Sequence, residues 1–195
     1  MVPLQIEEEE PLVLPLINDA VDGTSLIGKY AGEKMGAICF VVRRPGWSLC
    51  REEGLQLSSA AAEKKFEGFN LFGVVKEMGV DDEGLSDFYY GYYKYPLYLD
   101  EERVFYGALG SRKMSFMSLM RLIPKSFGSL GTRLKKKGIE GNFKGEGLLQ
   151  GGVIVFNSNG DPVYSYKEIT GEELPMDDIL KAVEGIRIEE KNGEL

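Results

Sequence analysis

The sequence predicts an α/β fold that is built on a strand–helix–strand unit of a parallel sheet. Residues 38–42 and 69–75 are continuous apolar runs of strand length, which is typical of strands that are covered on both faces. Residues 49–67 have helical composition and lie between the two runs. A right-handed crossover through this helix would place the two strands side by side in one sheet.

A turn that ends in a cysteine follows the first of these strands. Arg43 and Arg44 end the apolar run, a Pro-Gly dipeptide breaks the backbone, and Ser48 is expected to cap the next helix. Cys50 would then lie in the first helical turn. The unpaired N–H groups and the macrodipole of that turn favour a thiolate over a thiol, so Cys50 is the first candidate for chemistry.

The remaining elements follow from periodicity and turn residues. Gly54 is expected to weaken the first long helix by ~1 kcal/mol relative to Ala. We expect a short helix over 24–32, a loop over 76–83, an aromatic helix over 85–93, a strand over 97–99 and a helical turn over 101–108. A helical stretch over 111–138, interrupted at Pro124, and a glycine-rich loop over 138–152 should follow. The last predicted elements are strands over 153–156 and 162–166, joined by a type I′ Asn-Gly hairpin, and a helix over 175–185. One domain would span 23–186, after an extended acidic arm over 1–22 and before a polar tail over 187–195.

Composition excludes several kinds of chemistry and partner. The chain of 195 residues has no histidine, which removes imidazole catalysis and His-ligated metal sites, and we predict no metal site. Its net charge of −8 argues against nucleic acid as a partner, and no apolar run reaches the ~18 residues of a membrane span. Two cysteines without framework spacing indicate a reducing compartment. We therefore expect a cytoplasmic protein, or an organellar one (plastid or mitochondrion) if a transit peptide has been removed.

Four segments, in this order, carry a family resemblance: RRPGWSLCREE over 43–53, GVVKE over 73–77, LYLDEERVFYGALG over 97–110 and GNFKGEGLLQGGVIVF over 141–156. Together they resemble the peroxiredoxin-like, AhpC/TSA-type family that includes prostamide/prostaglandin F synthase and the relatives of selenoprotein U. The resemblance covers about residues 24–185. It implies a thioredoxin-like fold, with a mixed central sheet flanked by helices on both faces and an active-site turn after the first central strand.

The chain departs from this family in the turn itself. Family members usually carry a CxxC pair there, and here Trp47 holds the first position while Cys50 matches the second. The other cysteine, Cys39, lies in the middle of a predicted strand and is expected to be a small core residue. Because a disulfide needs Cα atoms within about 7 Å, the family's NADPH- and thioredoxin-linked chemistry does not transfer intact. We expect no bound cofactor, and an external thiol reductant if the protein is active.

One hypothesis is a one-cysteine thiol peroxidase or reductase that uses Cys50 as its nucleophile. True peroxiredoxins have a single peroxidatic cysteine at the corresponding position. Arg43, Arg44 and Arg51 are near Cys50 in sequence, and their charges would stabilise a thiolate or bind a peroxide oxygen.

Other residues oppose that hypothesis, because Trp47 is large enough to cover the sulfur and the carboxylates of Glu52 and Glu53 would raise the thiol pKa. The alternative is a redox-inactive thioredoxin-like protein that binds a protein partner, such as a peripheral structural subunit of an organellar (photosynthetic or respiratory) complex. Its binding surfaces would be the arm over 1–22, the aromatic residues over 88–98 and the glycine-rich loop.

The resemblance also places residues 149–152 opposite the active-site turn, beside Trp47. The predicted substrate- or partner-binding residues are Trp47, Gln150, Gly151 and Gly152, and the free backbone N–H and C=O groups of the two glycines would pair with an extended chain. An equally open interpretation is that the glycines allow the loop to pack tightly on the sheet. The aromatic residues over 88–98 and the methionines at 114, 117 and 120 are predicted to be mainly core residues.

Overall fold

A mixed sheet of six strands, covered by helices on both faces, forms the centre of the computed structural model, which describes residues 14–15, 34–115 and 128–193. The strands are β1 (Leu14–Pro15), β2 (Gly36–Val41), β3 (Phe69–Val75), β4 (Leu97–Leu99), β5 (Gly152–Asn157) and β6 (Pro162–Lys167). The helices are α1 (Ser48–Ala62), α2 (Asp82–Gly91), α3 (Val104–Ala108), α4 (Ser129–Lys136) and α5 (Met176–Asn192). The predicted helix over 24–32, the arm over 1–22 apart from β1, and Met117 and Met120 lie outside the described residues.

The strand order is β1-β4-β3-β2-β5-β6, with β2 at the junction of the parallel and antiparallel parts. Strand β2 pairs with β3 in parallel and with β5 in antiparallel register, so Cys39 lies between Phe72 and Ile154. The predicted strand–helix–strand unit and the mixed sheet are both confirmed. Strand β3 has the bounds that its apolar run predicts.

The two faces of β2 belong to two apolar clusters. Phe40 and Val42 pack with α1 and α5 on one face, in the cluster that also contains Cys50. Cys39 and Val41 pack with α3 on the other face. Both cysteines are free and fully buried. Cys39 is therefore the core residue that was predicted, and the sheet separates it from Cys50.

Helix α1 ends at Ala62, five residues before the predicted end. Lys64 adopts a left-handed conformation with φ 60°, and the N–H of Lys65 donates to the carbonyl of Ala60 at 2.9 Å. This bond, from five residues further along the chain, is typical of a Schellman termination. The turn directs the chain toward β3, a tertiary requirement that helical composition does not reveal.

Two later predictions also need correction. Helix α5 continues past Gly185 to Asn192 because Ile186 is buried and extends the apolar stripe of Ile179 and Val183, so 187–192 is helix rather than tail. The hairpin between β5 and β6 is confirmed, but its turn is not type I′. Gly160 (φ 88°) has the only positive φ in the connection, whereas a type I′ turn needs two.

The aromatic residues over 88–98 are mainly core residues, as predicted. Phe88, Tyr93 and Tyr98 are buried, and the rings of Phe88 and Tyr93 stack with their centroids 5.7 Å apart. Tyr90 is the member that is exposed, with 54% of its surface accessible. Tyr89, Tyr92 and Tyr95 are half-buried.

Gly54 provides a stability test because packing and helix propensity predict opposite effects of Gly54→Ala on the free energy of unfolding. A β-carbon at Gly54 would lie 3.0 Å from Phe88 Cε2 and 3.2 Å from Tyr93 Cβ, and both rings are fully buried. We expect Gly54→Ala to lower the free energy of unfolding by about 1–2 kcal/mol, since overpacking exceeds the ~1 kcal/mol propensity gain.

Gly185→Ala is the matched control in α5, where a β-carbon meets nothing within 4 Å. It should raise the free energy of unfolding by about 0.5–1 kcal/mol. Urea denaturation of both variants measures the two changes in the free energy of unfolding. A stabilised Gly54→Ala would contradict the close packing of α1 on α2.

Candidate functional site

The turn after β2 places Cys50 in the first turn of α1, as the sequence predicts. The N–H of Trp47 donates to the carbonyl of Arg44 at 3.0 Å and closes the turn. Trp47 is the N-cap residue, and Ser48 is the first helical residue rather than the predicted cap. No side chain caps this helix end through a hydrogen bond.

Burial dominates the chemistry of the Cys50 thiol. The residue has no accessible surface, and this burial raises its pKa far above the ordinary value. The carboxylates of Glu53 and Glu168 raise the pKa further, while the backbone N–H of Arg44, bonded to the sulfur, and the Arg43 charge lower it. In this closed conformation desolvation outweighs the helix N-terminus, which favours the thiol over the thiolate.

Arg43 is committed to a buried ion pair. Its guanidinium lies 2.8 Å from a Glu168 carboxylate oxygen, and the two side chains are 2% and 3% exposed. It also donates to the Thr170 hydroxyl at 3.0 Å and stacks 4.3 Å from the centre of the Trp47 ring. In this conformation Arg43 is near the thiol but has no open face for a peroxide.

Arg44 contributes to the site through its backbone and its side chain. Its backbone N–H lowers the pKa of the Cys50 thiol, while its guanidinium donates to the carbonyls of Phe143 (3.0 Å) and Gly145 (3.3 Å). The guanidinium lies 5.6 Å from the ring centre of Trp47 and 5.5 Å from that of Phe143. Arg44 therefore joins the turn to the glycine-rich loop.

Arg51, predicted to lie beside the thiolate, contacts the elements around the turn. Its guanidinium donates to Asp87 at 3.3 Å and to the Glu140 carbonyl at 3.1 Å, and it lies 5.2 Å from the ring centre of Tyr92. These partners belong to α2 and the loop after α4. Together with Arg51 they border an open cleft of about 560 Å³. Arg51 also donates to the Pro45 carbonyl at 3.4 Å, so it links the turn to these elements.

The two acidic residues after Arg51 have different surroundings. Glu52 accepts from Arg133 and Lys137 at 2.7 Å each, which ties α1 to α4. The pKa of Glu53 is raised, first by burial and then by the Glu168 carboxylate, against the opposing charge of Arg43. Of the two, Glu53 acts on the thiol as predicted.

The backbone groups of Gly151 are already used within the chain, so the prediction that they are free is wrong. Its N–H donates to the Glu168 carboxylate at 3.0 Å, and its carbonyl accepts from the Glu168 N–H at 3.1 Å. A β-carbon on Gly151 would lie 2.0 Å from the Val41 carbonyl oxygen, and Gly152 pairs with Val41. The Gln150 side chain bonds to Thr170 at 3.3 Å. The alternative interpretation, tight packing of loop on sheet, is confirmed.

Residues 140–148, which we call the glycine-rich cover, pack on the turn that carries Trp47. The Asn142 N–H donates to the Gly46 carbonyl at 2.7 Å. Lys76, at the end of β3, donates to the Arg43 carbonyl and lies 3.3 Å from Glu146 of the cover. Burial lowers the pKa of Lys76, and Glu146 opposes that shift.

Sequence reasoning missed Lys76, Glu146 and Glu168 as members of this site. One signal was present for Lys76, a lone charge directly after the apolar run of β3. Within the described ranges no cluster of Cys, Asp and Glu is arranged to hold a metal ion. In the same part of the chain, the helices lack the length and apolar character needed to cross a membrane.

Comparison with known proteins gives consistent results. The family model described as AhpC/TSA antioxidant enzyme matches residues 56–169. The chain is 35% identical to peroxiredoxin-like 2A of Danio rerio, over 86% of this chain and 77% of that protein. It is 28% identical to prostamide/prostaglandin F synthase of Salmo salar, over 83% and 86% of the two chains.

Solved structures support the fold. A yeast mitochondrial 1-Cys peroxiredoxin, solved in a study of thiol resolution through glutathione/thioredoxin systems, superposes with a TM-score of 0.55 at 12% identity, over 85% of this chain and 70% of that one. At this identity the likeness shows the fold alone, and it confirms the predicted thioredoxin-like architecture.

The raised pKa of Glu53 predicts a measurable dependence of stability on pH. A carboxyl with a raised folded-state pKa binds more protons folded than unfolded, so stability falls as pH rises from about 4.3 through the folded-state value. We expect Glu53→Gln to raise the free energy of unfolding at pH 8 by about 1–3 kcal/mol, since a difference of one pKa unit between the folded and unfolded states corresponds to roughly 1.4 kcal/mol. The gain should shrink toward pH 4.

Urea denaturation across pH 4–8 provides this measurement. Glu83→Gln is the matched control, since the Glu83 side chain is 84% exposed, and its stability difference from the parent protein should not vary with pH. A Glu53→Gln gain that is equal at both ends of the range would show that Glu53 is not held protonated by the fold.

Proposed function

The chain belongs to the peroxiredoxin-like AhpC/TSA antioxidant enzyme family, and from that premise we propose that it is a thiol-dependent peroxidase with Cys50 as its single nucleophile. The observation that supports this most directly is the place of Cys50 in the first turn of α1, directly after the turn that carries Arg43 and Arg44. A thiolate there would be stabilised by the helix N-terminus and by the Arg43 charge.

Cys39 is unsuited to the same role. It has no accessible surface, and burial raises its pKa well above the usual value, with Asp100 adding to the shift. It also lies in the middle of a central strand, on the face opposite to Cys50. Any thiol chemistry of this chain is therefore assigned to Cys50.

Reactivity at Cys50 requires a more open conformation than the closed one. Desolvation is the largest cause of the raised thiol pKa, and admitting solvent removes it. What then remains near the sulfur is the Arg44 N–H, the Arg43 guanidinium and the helix N-terminus, which favour the thiolate, against the charges of Glu53 and Glu168, which oppose it. Opening thus both exposes and activates the sulfur.

The proposed reaction has two stages. The Cys50 thiolate attacks one oxygen of a hydroperoxide, so that an S–O bond forms, the O–O bond breaks and the leaving alkoxide takes a proton to become an alcohol, or water in the case of hydrogen peroxide. Sulfur is oxidised to sulfenic acid while the peroxide is reduced. An external thiol then displaces water to form a mixed disulfide, and a second external thiol releases Cys50 and an external disulfide.

The reductant must come from another molecule because the chain offers no second sulfur at this site. Trp47 occupies the first position of the family's usual pair. The chain's other cysteine is separated from Cys50 by the sheet, so an internal disulfide cannot form without breaking the core. We therefore propose a monothiol or dithiol reductant that is supplied externally.

Peroxide consumption by the purified protein with dithiothreitol tests this function. Cys50→Ser should lower the catalysed rate at least tenfold, to the level of the reductant alone, because it removes the nucleophile. Mass spectrometry of the parent protein with peroxide and a sulfenic-acid trapping reagent should find the adduct on the Cys50 peptide.

Cys39→Ala is the matched control, since it removes the other thiol and should leave the rate unchanged. Circular dichroism would establish that both variants fold. A rate that is unchanged by Cys50→Ser, or an adduct on Cys39 alone, would overturn the proposed function.

A further inference from the structure

The glycine-rich cover has little apolar packing of its own. Its flanking residues Ile139 and Leu149 are buried, but none of residues 140–148 is buried. The two large apolar side chains within the cover are turned outward, since Phe143 is 77% and Leu148 is 45% exposed. A segment with so few buried apolar contacts opens at a low free-energy cost.

The first half of the cover lies directly on the turn in front of the thiol. A β-carbon at Gly141 would approach the Ser48 nitrogen to 2.4 Å, so the two backbones touch. Besides the Asn142 bond to Gly46, the Arg44 guanidinium holds the carbonyls of Phe143 and Gly145. The cover therefore packs on the turn that carries Trp47, which is 6% exposed, and Cys50 three residues later is fully buried.

The second half of the cover is held by charge. The Glu146 carboxylate accepts the backbone N–H groups of Leu148 (2.6 Å) and Leu149 (3.2 Å), so it fixes the local conformation of the cover. The same carboxylate lies 3.3 Å from the Lys76 ammonium, which also donates to the Arg43 carbonyl. One buried lysine thus bonds both to the turn and to the cover.

We infer that Lys76 and Glu146 are positioning residues that hold the glycine-rich cover and the Trp47 turn closed over Cys50, and so set how often the thiol is accessible. This inference deepens the proposed function and rests on it for its catalytic meaning. Neither residue touches the reacting atoms. Their effect reaches the sulfur through the backbone of Arg43 and through the cover.

Lys76 and Glu146 are buried to different extents, which explains why loss of their ion pair would favour opening of the cover. The Lys76 side chain is 2% exposed and that of Glu146 is 39% exposed. If Glu146 is neutral, the buried ammonium loses the opposite charge that compensates its desolvation, while an open cover would admit water to it. Neutralising Glu146 therefore shifts the equilibrium toward the open conformation.

Glu146→Gln tests this inference because it removes the charge but keeps an oxygen that accepts from Leu148. The rate of iodoacetamide labelling at Cys50, read on its own peptide by mass spectrometry, should rise about tenfold, the effect of one lost charge-assisted contact on an opening equilibrium. Trp47 is the single tryptophan of the chain. Its fluorescence should become more accessible to acrylamide in the same variant.

Lys144→Gln is the matched control on the same cover. Lys144 is 57% exposed and lies 3.6 Å from Asp81, away from the Lys76 contact. It should change neither readout by more than twofold. Denaturation midpoints of both variants show whether global stability has changed. Labelling of Cys39 gives a second check, because only a general loss of stability would raise it in parallel with the labelling of Cys50.

The inference is overturned if Glu146→Gln labels Cys50 within twofold of the parent rate, if Lys144→Gln gives the same increase, or if Cys39 labelling rises equally. These outcomes are independent of peroxide turnover. Cys50-dependent turnover with unchanged labelling would reject the positioning role and keep the proposed function. Increased quenching of Trp47 in Glu146→Gln, together with a parent protein that does not turn over peroxide, would support the positioning role and reject the proposed peroxidase function.

Discussion

The buried pair of Arg43 and Glu168 joins the parts of the molecule that form the site. Arg43 follows β2, Glu168 follows β6, and their side chains meet at 2.8 Å with almost no exposure. From this pair Arg43 stacks on Trp47, while Glu168 holds the backbone of Gly151. Removing either partner would leave an uncompensated charge in the interior, which is far more costly than losing a surface contact. In the closed conformation the turn is thereby tied to the end of the sheet.

The same pair limits what the thiol can do in the closed conformation. Two buried carboxyl groups, Glu53 and Glu168, face one arginine near Cys50, and Glu168 is already bonded to that arginine. The positive charge that a thiolate would need is therefore largely neutralised. Burial and the carboxyl groups act in the same direction, so the closed form favours a protonated thiol at Cys50. Reactivity then depends on conformation more than on sequence, because solvent entry removes the largest opposing contribution.

The local features of this site were predictable, and its long-range partners were not. The Pro-Gly dipeptide and the apolar run before it placed Cys50 in the first turn of a helix, since both signals act within a few residues. Glu168 is 125 residues from Arg43, and single-sequence patterns hold no information about such a contact. The effect of burial on the pKa of the Cys50 thiol was not predictable for the same reason. A helix N-terminus is a local property, whereas burial depends on elements such as the cover over 140–148.

Trp47 makes opening a requirement of the second stage of the proposed cycle as well as the first. A cysteine at that position would supply an internal thiol to reduce a sulfenic acid without admitting another molecule. The indole instead fills the turn and is held by Arg43 at 4.3 Å and Arg44 at 5.6 Å. Each turnover therefore needs one opening for peroxide and at least one more for an external thiol. Because a thiol reductant is bulkier than hydrogen peroxide, the proposed cycle needs its wider opening for the reductant when hydrogen peroxide is the substrate. Under the proposed function the stability of the cover would then limit reduction of the oxidised cysteine more strongly than its oxidation.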